Sequence, residues 1–463
     1  MISLAHATEL PNFVIILSDD QGWNATSAPV DPAIPESGSS YYRTPQLDRL
    51  ISEGTCFSQA YSSSPTCGPS RHSIQYGRSP VSLQIFASAG WGKVNFTGKA
   101  EESMARTLKK AHPEYRTAHF GKWHVTHTQE DMGYDVVGEG KGNSGGRDAT
   151  PDDPKKIFSL TEKGNRFMEE QVKAGKPFFL QISHFANHLP YQSLQKTKKK
   201  YETEHADKAT KYQNDPLWAG MNEDLDTGVG MTLDKIRELG IKNNTYVIYT
   251  SDNGYEGKIC QTNSIEERLF YKGYPLVSHK YTINEGGLRV PFIIRGPDVP
   301  AGIKCKTRIV AHDIFPTILD ILGKKDVVPT SVDGGSLWPL LKSAGTEKVI
   351  RTDPYLVFRY TRDARDICII QDDFKLLKEL ATGKMHLFDL TKDLGERTNL
   401  MKEYPEKASK MYAALTEHLK RHDWEEGISQ PARGRGPNNE SLNKKVPKKE
   451  KKAKKNKKNK KEI

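Results

Sequence analysis

"NFVIILSDDQG" (12–22) runs a short, mostly β-branched apolar stretch directly into Ser18, two aspartates and a glycine. A continuous apolar run of this length reads as a buried strand. Its abrupt acidic end means that the strand opens onto a polar rim. Similar runs recur at "YRTAHF" (115–120), "PFFLQIS" (177–183), "TYVIYT" (245–250) and "PFIIR" (291–295). Helix-like segments separate them at 44–54, 103–111, 160–175 and 221–240, and "DIFPTILDILG" (313–323) is another. The first carries Thr44 as a candidate N-cap, Pro45 at the first helical position and Gly54 past the end. Strands alternating with helices predict an α/β fold, a large and mostly parallel sheet sandwiched by helices.

The second strand that matters, "TYVIYT", ends in Ser251-Asp252-Asn253-Gly254. Ligands of open α/β sheets gather outside the carboxyl ends of the strands. Asp19, Asp20, Asp252 and Asn253 would therefore meet on one rim, where three carboxylates repel unless a cation lies among them. Oxygen-only ligands suit calcium or magnesium better than zinc. Asp-Asp and Asp-Asn-Gly are also ordinary turn sequences; it is their pairing at two strand ends that favours a metal.

Beyond about Leu341 the texture changes. "YLVFRY", "DICIIQ", "DFKLLKEL" and "MHLFDL" follow in quick succession, and a helix is expected near 405–421. This predicts a small C-terminal antiparallel sheet with one helix. The division is a catalytic domain over 1–341, an α+β subdomain over 342–430 and a disordered Lys-rich tail over 431–463. Fourteen of the 69 Lys and Arg, but only three of the 58 Asp and Glu, fall in that tail, so the net charge of +11 belongs to it and the body is neutral. Such a segment cannot bury a core. It reads as a solvated extension or as a tether to a polyanion. No folded motif or aromatic platform accompanies it, so nucleic acid is not expected.

No stretch approaches the roughly 18 apolar residues of a membrane span. "MISLAHATELPN" (1–12) lacks the basic start of a secretory signal, although Ala5-His6-Ala7 resembles the end of one. Periplasmic or secreted localisation is expected. The five cysteines (56, 67, 260, 305, 368) show no pairing pattern.

Cys67 lies in "SPTCGPSR" (64–71) without a second sulfur nearby. Pro69 signals a helix start, with Thr66 or Gly68 as its cap, and Arg71 follows one turn on. Free backbone N–H groups and a cation there favour a thiolate or an anionic ligand. A nucleophile and a buried inert cysteine both remain open on these grounds.

The Cys-Gly-Pro-Ser-Arg run resembles the signature of the type I, formylglycine-dependent sulfatases of the alkaline-phosphatase-like superfamily. "PNFVIILSDDQGW", "TCGPSRHSIQYGR", "FGKWH" (120–124), "YTSDNG" (249–254) and "HKYTINEGGLRVPFIIRGP" (279–297) follow in that family's order. "LFDLTKDLGERTNL" (387–400) looks like its C-terminal signature. Together these cover roughly residues 10–400.

The resemblance implies that Cys67 is converted to formylglycine (3-oxoalanine) by a maturation enzyme. Its hydrate would attack sulfur with one hydroxyl and use the second to expel sulfate. It implies a divalent cation, calcium or alternatively magnesium, on Asp19, Asp20, Cys67, Asp252 and Asn253. Arg71 would hold the formylglycine, and Lys122 and Lys280 would clamp sulfate oxygens. His124 would act as base for sulfate elimination and His188, in "FANHLPY", would protonate the leaving oxygen. The match at His188 is looser, since the family often has a further histidine where this chain has Tyr191, and His184 is a rival for the same role. His72, His127, His279 and His312 read as ordinary structural histidines, and Gly286-Gly287 as a packing device.

The expected function is removal of sulfate from a sulfated carbohydrate. The polar loops at 141–155 and 255–275, with Trp91, Arg147 and Tyr255 as wall residues, suit a saccharide. The alternatives are a phosphodiester or phosphonate monoester hydrolase on the same fold, or an inactive binder of polyanionic glycans.

Overall fold

The computed structural model describes residues 10–85, 96–140, 142–256, 274–360 and 366–424. Its main sheet has eight strands: β1 (Asn12–Ser18), β2 (Thr55–Phe57), β4 (Arg116–Gly121), β5 (Val136–Gly138), β6 (Phe178–Ser183), β7 (Thr245–Ser251), β8 (Phe292–Arg295) and β9 (Ile303–Cys305). Their spatial order is β5-β4-β6-β1-β7-β8-β2-β9. β1 lies between β6 and β7, parallel to both. The sheet is mostly parallel, as expected, but β8 runs antiparallel to both β7 and β2. A two-stranded ladder pairs β3 (Ala60–Tyr61) with β10 (Ile309–Val310).

Both faces of β1 are buried, which is why its sequence is apolar without alternation. Phe13, Ile15 and Leu17 face one helix layer: α2 (Cys67–Tyr76), α3 (Met104–Ala111), α8 (Ile314–Ile321) and α9 (Trp338–Lys342). Val14 and Ile16 face the other: α1 (Pro45–Glu53), α4 (Ile157–Lys173) and α6 (Pro216–Glu238). α5 (Gln195–Thr203) packs on α6, and α7 (Glu285–Leu288) is a single turn before β8.

Two helices start earlier than their apolar periodicity predicts, because caps outside that pattern set their ends. Asp215 caps α6, accepting from the N–H groups of Leu217 and Trp218 at 3.0 and 3.2 Å, with Pro216 at the first position. At α4, Asp153 Oδ1 accepts from Phe158 and Ser159. Thr44 precedes α1 as expected, but its hydroxyl does not cap that helix. Asp226 of α6 does so, accepting from Gln46 and Leu47 at 2.9 and 2.7 Å.

The C-terminal strands β11 (Leu356–Tyr360), β12 (Asp366–Gln371), β13 (Phe374–Glu379) and β14 (Met385–Asp389) form the expected antiparallel sheet, paired in chain order. One face, with Ile367, Ile369 and Leu387, packs on α10 (Pro405–Arg421) through Met411 and Leu415. The other face, with Phe358, Cys368 and Leu377, packs on Tyr61, Ile283 and Leu288 of the main body. The Lys-rich tail, Trp91, Cys260 and most of the 255–275 loop lie outside the described residues.

Candidate active site

The carboxyl ends of β1 and β7 adjoin, with Ser18 in register with Ser251, so the acids after each strand meet. Asp20 N–H donates to Asp252 Oδ1 at 3.2 Å. Asn253 gives its side-chain N–H to Asp20 Oδ1 at 2.6 Å, leaving its own Oδ1 without a hydrogen-bond partner. Asp19 Oδ1 likewise accepts no hydrogen bond. All four side chains are fully buried.

Cys67 opens α2 and is 3% exposed. Ligand atoms of Cys67, Asp19 and Asp252 all lie within 4.8 Å of one another. Thr66 holds the cap position, but its hydroxyl pairs with that of Ser64 at 3.2 Å and leaves the helix amides alone. One turn into α2, Arg71 gives Nε–H to Asp252 Oδ2 at 2.7 Å and a second N–H to the carbonyl of Lys122 at 2.8 Å.

Lys122 leaves the end of β4 and reaches Asp19 Oδ2 at 2.6 Å. Lys280 lies 2.8 Å from Asp20 Oδ1. Each buried acid is thus matched by one buried cation. Burial alone would raise the Asp19 carboxyl; Lys122, aided by His188, Arg71 and Lys280, overrides it and holds the group well below its ordinary range. Asp20 is held down in the same way, chiefly by Lys280 against burial. Asp252 goes the other way: burial, reinforced by Asp19, pushes it up to about 8. An acid so reluctant to ionise, beside two orphaned buried oxygens, fits a site for a hard divalent cation.

His124 lies two residues after Lys122 with its Nδ1 unpartnered, and Gly142 lies against the ring. Burial, then Lys122 and Arg71, push it down to about 3. His188 Nε2 is 3.9 Å from Asp20 Oδ2, and burial with Lys280 pushes it to about 4. His184 is 1% exposed and makes no ion pair with these acids. The two rivals are therefore separated: His188 lies at the acids and His184 in the packed interior. His72 bonds the Gly68 carbonyl and Thr126, and His127 bonds Tyr76.

The backbone needs glycine at one join of the site. A Cβ on Gly254 would stand 2.0 Å from the carbonyl oxygen of Gly286, so the turn carrying Asn253 presses directly on the Gly286-Gly287 turn. Tyr255, expected on a substrate wall, is instead 1% exposed and packs edge-on against Trp218 with ring centroids 5.2 Å apart. Arg147 is exposed at the end of a short 3₁₀ turn.

Two charged groups escaped the sequence reading. Glu256 has a carboxylate oxygen within 4.8 Å of ligand atoms of Asp20 and His188. Lys155 is 1% exposed at the start of α4. Both stand in the two loops singled out as polar, which is the one signal that pointed to them.

The sulfatase profile matches residues 11–324, and the profile of the N-sulphoglucosamine sulphohydrolase C-terminal region matches 277–425. A sulfatase of Formosa agariphila is 27% identical, with 86% of each chain covered. The N-acetylgalactosamine-6-sulfatase of Sus scrofa is 27% identical over 75% of this chain and 69% of its own. Among solved structures, Ps i-CgsB superposes with a TM-score of 0.74 at 22% identity, covering 90% of this chain and 94% of that one.

Proposed function

The chain belongs to the sulfatase family, and from that premise we propose that it hydrolyses a sulfate ester on a saccharide, with Cys67 converted to formylglycine as its nucleophile. The observation that carries this is the convergence of Cys67 with Asp19 and Asp252 within 4.8 Å, beside Arg71. The saccharide is favoured by the polar 141–155 loop and by the pig relative, whose name specifies a sulfated sugar.

Asp19, Asp20, Asp252 and Asn253, with residue 67, would hold a divalent cation, read as calcium. When bound, that cation supplies neutralising charge and acidifies an oxygen at residue 67. Formylglycine supplies, once hydrated, the second hydroxyl that neither cysteine nor serine has.

The chain's own groups then divide the work. Arg71 is anchored at two points, on Asp252 and the Lys122 carbonyl, and so keeps its guanidinium oriented beside residue 67. Lys122 and Lys280 are held on Asp19 and Asp20 and would offer ammonium protons to sulfate oxygens. His124 is neutral, pushed down to about 3 by burial and then by Lys122 and Arg71, and would take a proton once a bound anion offsets those cations. His188 would give one to the leaving oxygen; a bound sulfate raises its proton affinity from about 4 by opposing Lys280.

The maturation enzyme, a periplasmic or secreted location, a polyanion contact through 431–463 and the domain division at 341 belong to the same proposal. Among the described residues no helix is long and apolar enough to cross a membrane.

The test pairs mass spectrometry of the peptide holding residue 67 with sulfate release from a panel of sulfated saccharides. The expected result is loss of the thiol mass and release of inorganic sulfate. An unmodified thiol in a protein that turns over at full speed would overturn the mechanism. A preference for phosphonate esters over sulfate esters would overturn the reaction.

A further inference from the structure

Four lysines are buried among the described residues: Lys122, Lys155, Lys280 and Lys375. Three are ion-paired. Lys122 meets Asp19 at 2.6 Å, Lys280 meets Asp20 at 2.8 Å, and Lys375 meets Glu285 and Glu396 at 3.0 and 2.8 Å. Lys155 is the exception. It is 1% exposed, yet among the described residues no carboxylate pairs with its ammonium, and its hydrogen bond to Gln192 comes from the backbone.

A buried cation with no directly paired carboxylate costs several kcal/mol, and an anion supplied from outside would offset that cost. Its surroundings indicate where that anion would come from. The charges acting on Lys155 are those of the active site: Asp19, Lys122, Asp20 and Glu256. Burial lowers its pKa only to about 8, so it stays mostly protonated at neutral pH.

The backbone is also built to hold it. Lys155 and Lys156 are consecutive side-chain-bearing residues in the left-handed region, at φ 55 and 56, a conformation that costs on the order of 1–3 kcal/mol at each. Gln192 Oε1 accepts the Lys155 N–H at 2.9 Å and ties this turn to the stretch just after His188.

We propose that Lys155 binds a second anionic group of the substrate, a sulfate or carboxylate on the saccharide other than the ester being cleaved. The inference rests on the sulfatase reading above and names its substrate class: saccharides carrying two anions close together. The scissile sulfate has Lys122 and Lys280 for its oxygens, which leaves Lys155 for a neighbour. An anion gains from being placed against an ammonium that no carboxylate among the described residues occupies, so the second group contributes to binding rather than to the chemical step.

The experiment compares the unaltered protein with Lys155→Met and Lys155→Arg. The substrates are N-acetylgalactosamine 6-sulfate, its 4,6-disulfate and its disaccharide with a uronate, so sulfate and carboxylate are tested separately. The unaltered protein is expected to favour a dianionic probe at least tenfold in kcat/KM. Lys155→Met should erase that ratio through KM, and Lys155→Arg should keep most of it. Equal ratios in the unaltered and Met forms would overturn the proposal.

Failure of all three probes to release sulfate bears on the proposed reaction instead. Binding of the same probes to a Cys67→Ala protein, with and without Lys155→Met, then decides the role of Lys155. Thermal unfolding probes the same charge without any ligand. Removing an unpaired buried cation should raise Tm, whereas a drop in Tm would show that Lys155 has a structural partner and overturn the idea.

Discussion

Lys122 Nζ stands 2.6 Å from Asp19 Oδ2, and both side chains are at most 1% exposed. A cation expected to grip sulfate is thus held by an acid expected to grip metal. On the proposed roles the two functions would be coupled: a cation on Asp19 would compete with Lys122 and leave its ammonium available to an anion. Calcium should therefore raise both Tm and the affinity for sulfate esters. At a hundredfold excess over its Kd it would add about 2.7 kcal/mol of stability. Chelator should abolish turnover and reverse the Tm gain, and calcium should restore both. Calorimetry with and without chelator is the check; unchanged Tm and activity would remove the metal from the site.

Replacing Cys67 by alanine should lower kcat/KM by more than about a thousandfold, since the proposed nucleophile goes with it. The side chain is small and sits in the first turn of α2, so Tm should move by no more than a few degrees. A variant that lost activity only because it unfolded would show a much larger drop.

His188→Ala and His184→Ala should differ in kind. If His188 protonates the leaving oxygen, its loss costs about 10²–10⁴-fold on a saccharide sulfate. The loss should be far smaller on nitrophenyl sulfate, whose leaving group needs no proton. His184→Ala should show no such dependence on the leaving group. Parallel losses on both esters for His188→Ala would remove it from the role of acid.

Lys375 of β13 reaches into the main body to Glu285, which also accepts from Arg289 Nε and from the Tyr61 hydroxyl at 2.5 and 2.7 Å. Lys375→Met leaves buried Glu396 without its cation and Glu285 with Arg289 alone, and should cost about 3–5 kcal/mol, read as a loss in urea or thermal unfolding. Burial would raise Glu285, but Lys375 and Arg289 prevail and hold it near 2, below the ordinary glutamate value of 4.5. The native state thus binds fewer protons than the unfolded one between these values. Stability from this group is complete above about pH 4.5 and drains as pH falls toward about 2. Glu396, which shares Lys375 and is shifted upward by burial, offsets part of this. Glu285→Gln should flatten the acid limb of the stability curve; an unchanged slope would refute the assignment.

Much of the fold could be read locally. Runs such as 12–17 and 178–183 announce buried strands because large apolar residues occupy both faces of a short stretch. The reversed direction of β8 could not, since a strand's polarity relative to its neighbours depends on connections rather than on its own residues. Nor could the cap of α1, because Asp226 lies far along the chain from Thr44. At the site, Asp19, Asp20, Cys67, Asp252 and Asn253 stand at element ends where short patterns mark them. Lys155 has no such pattern. Its significance lies in being buried with no carboxylate paired to it among the described residues, and that is a property of the tertiary structure alone.

All ten residues of α2, Cys67 first among them, are buried. The proposed modifying enzyme would have to reach the Cys67 side chain, and this helix leaves it only 3% exposed once the sheet has closed over it. If Cys67 is converted as proposed, its oxidation would have to precede collapse, while the nascent chain is still emerging or held open. Chains that fold first would be locked out of maturation permanently, so the yield of active protein would be set by a race between folding and modification.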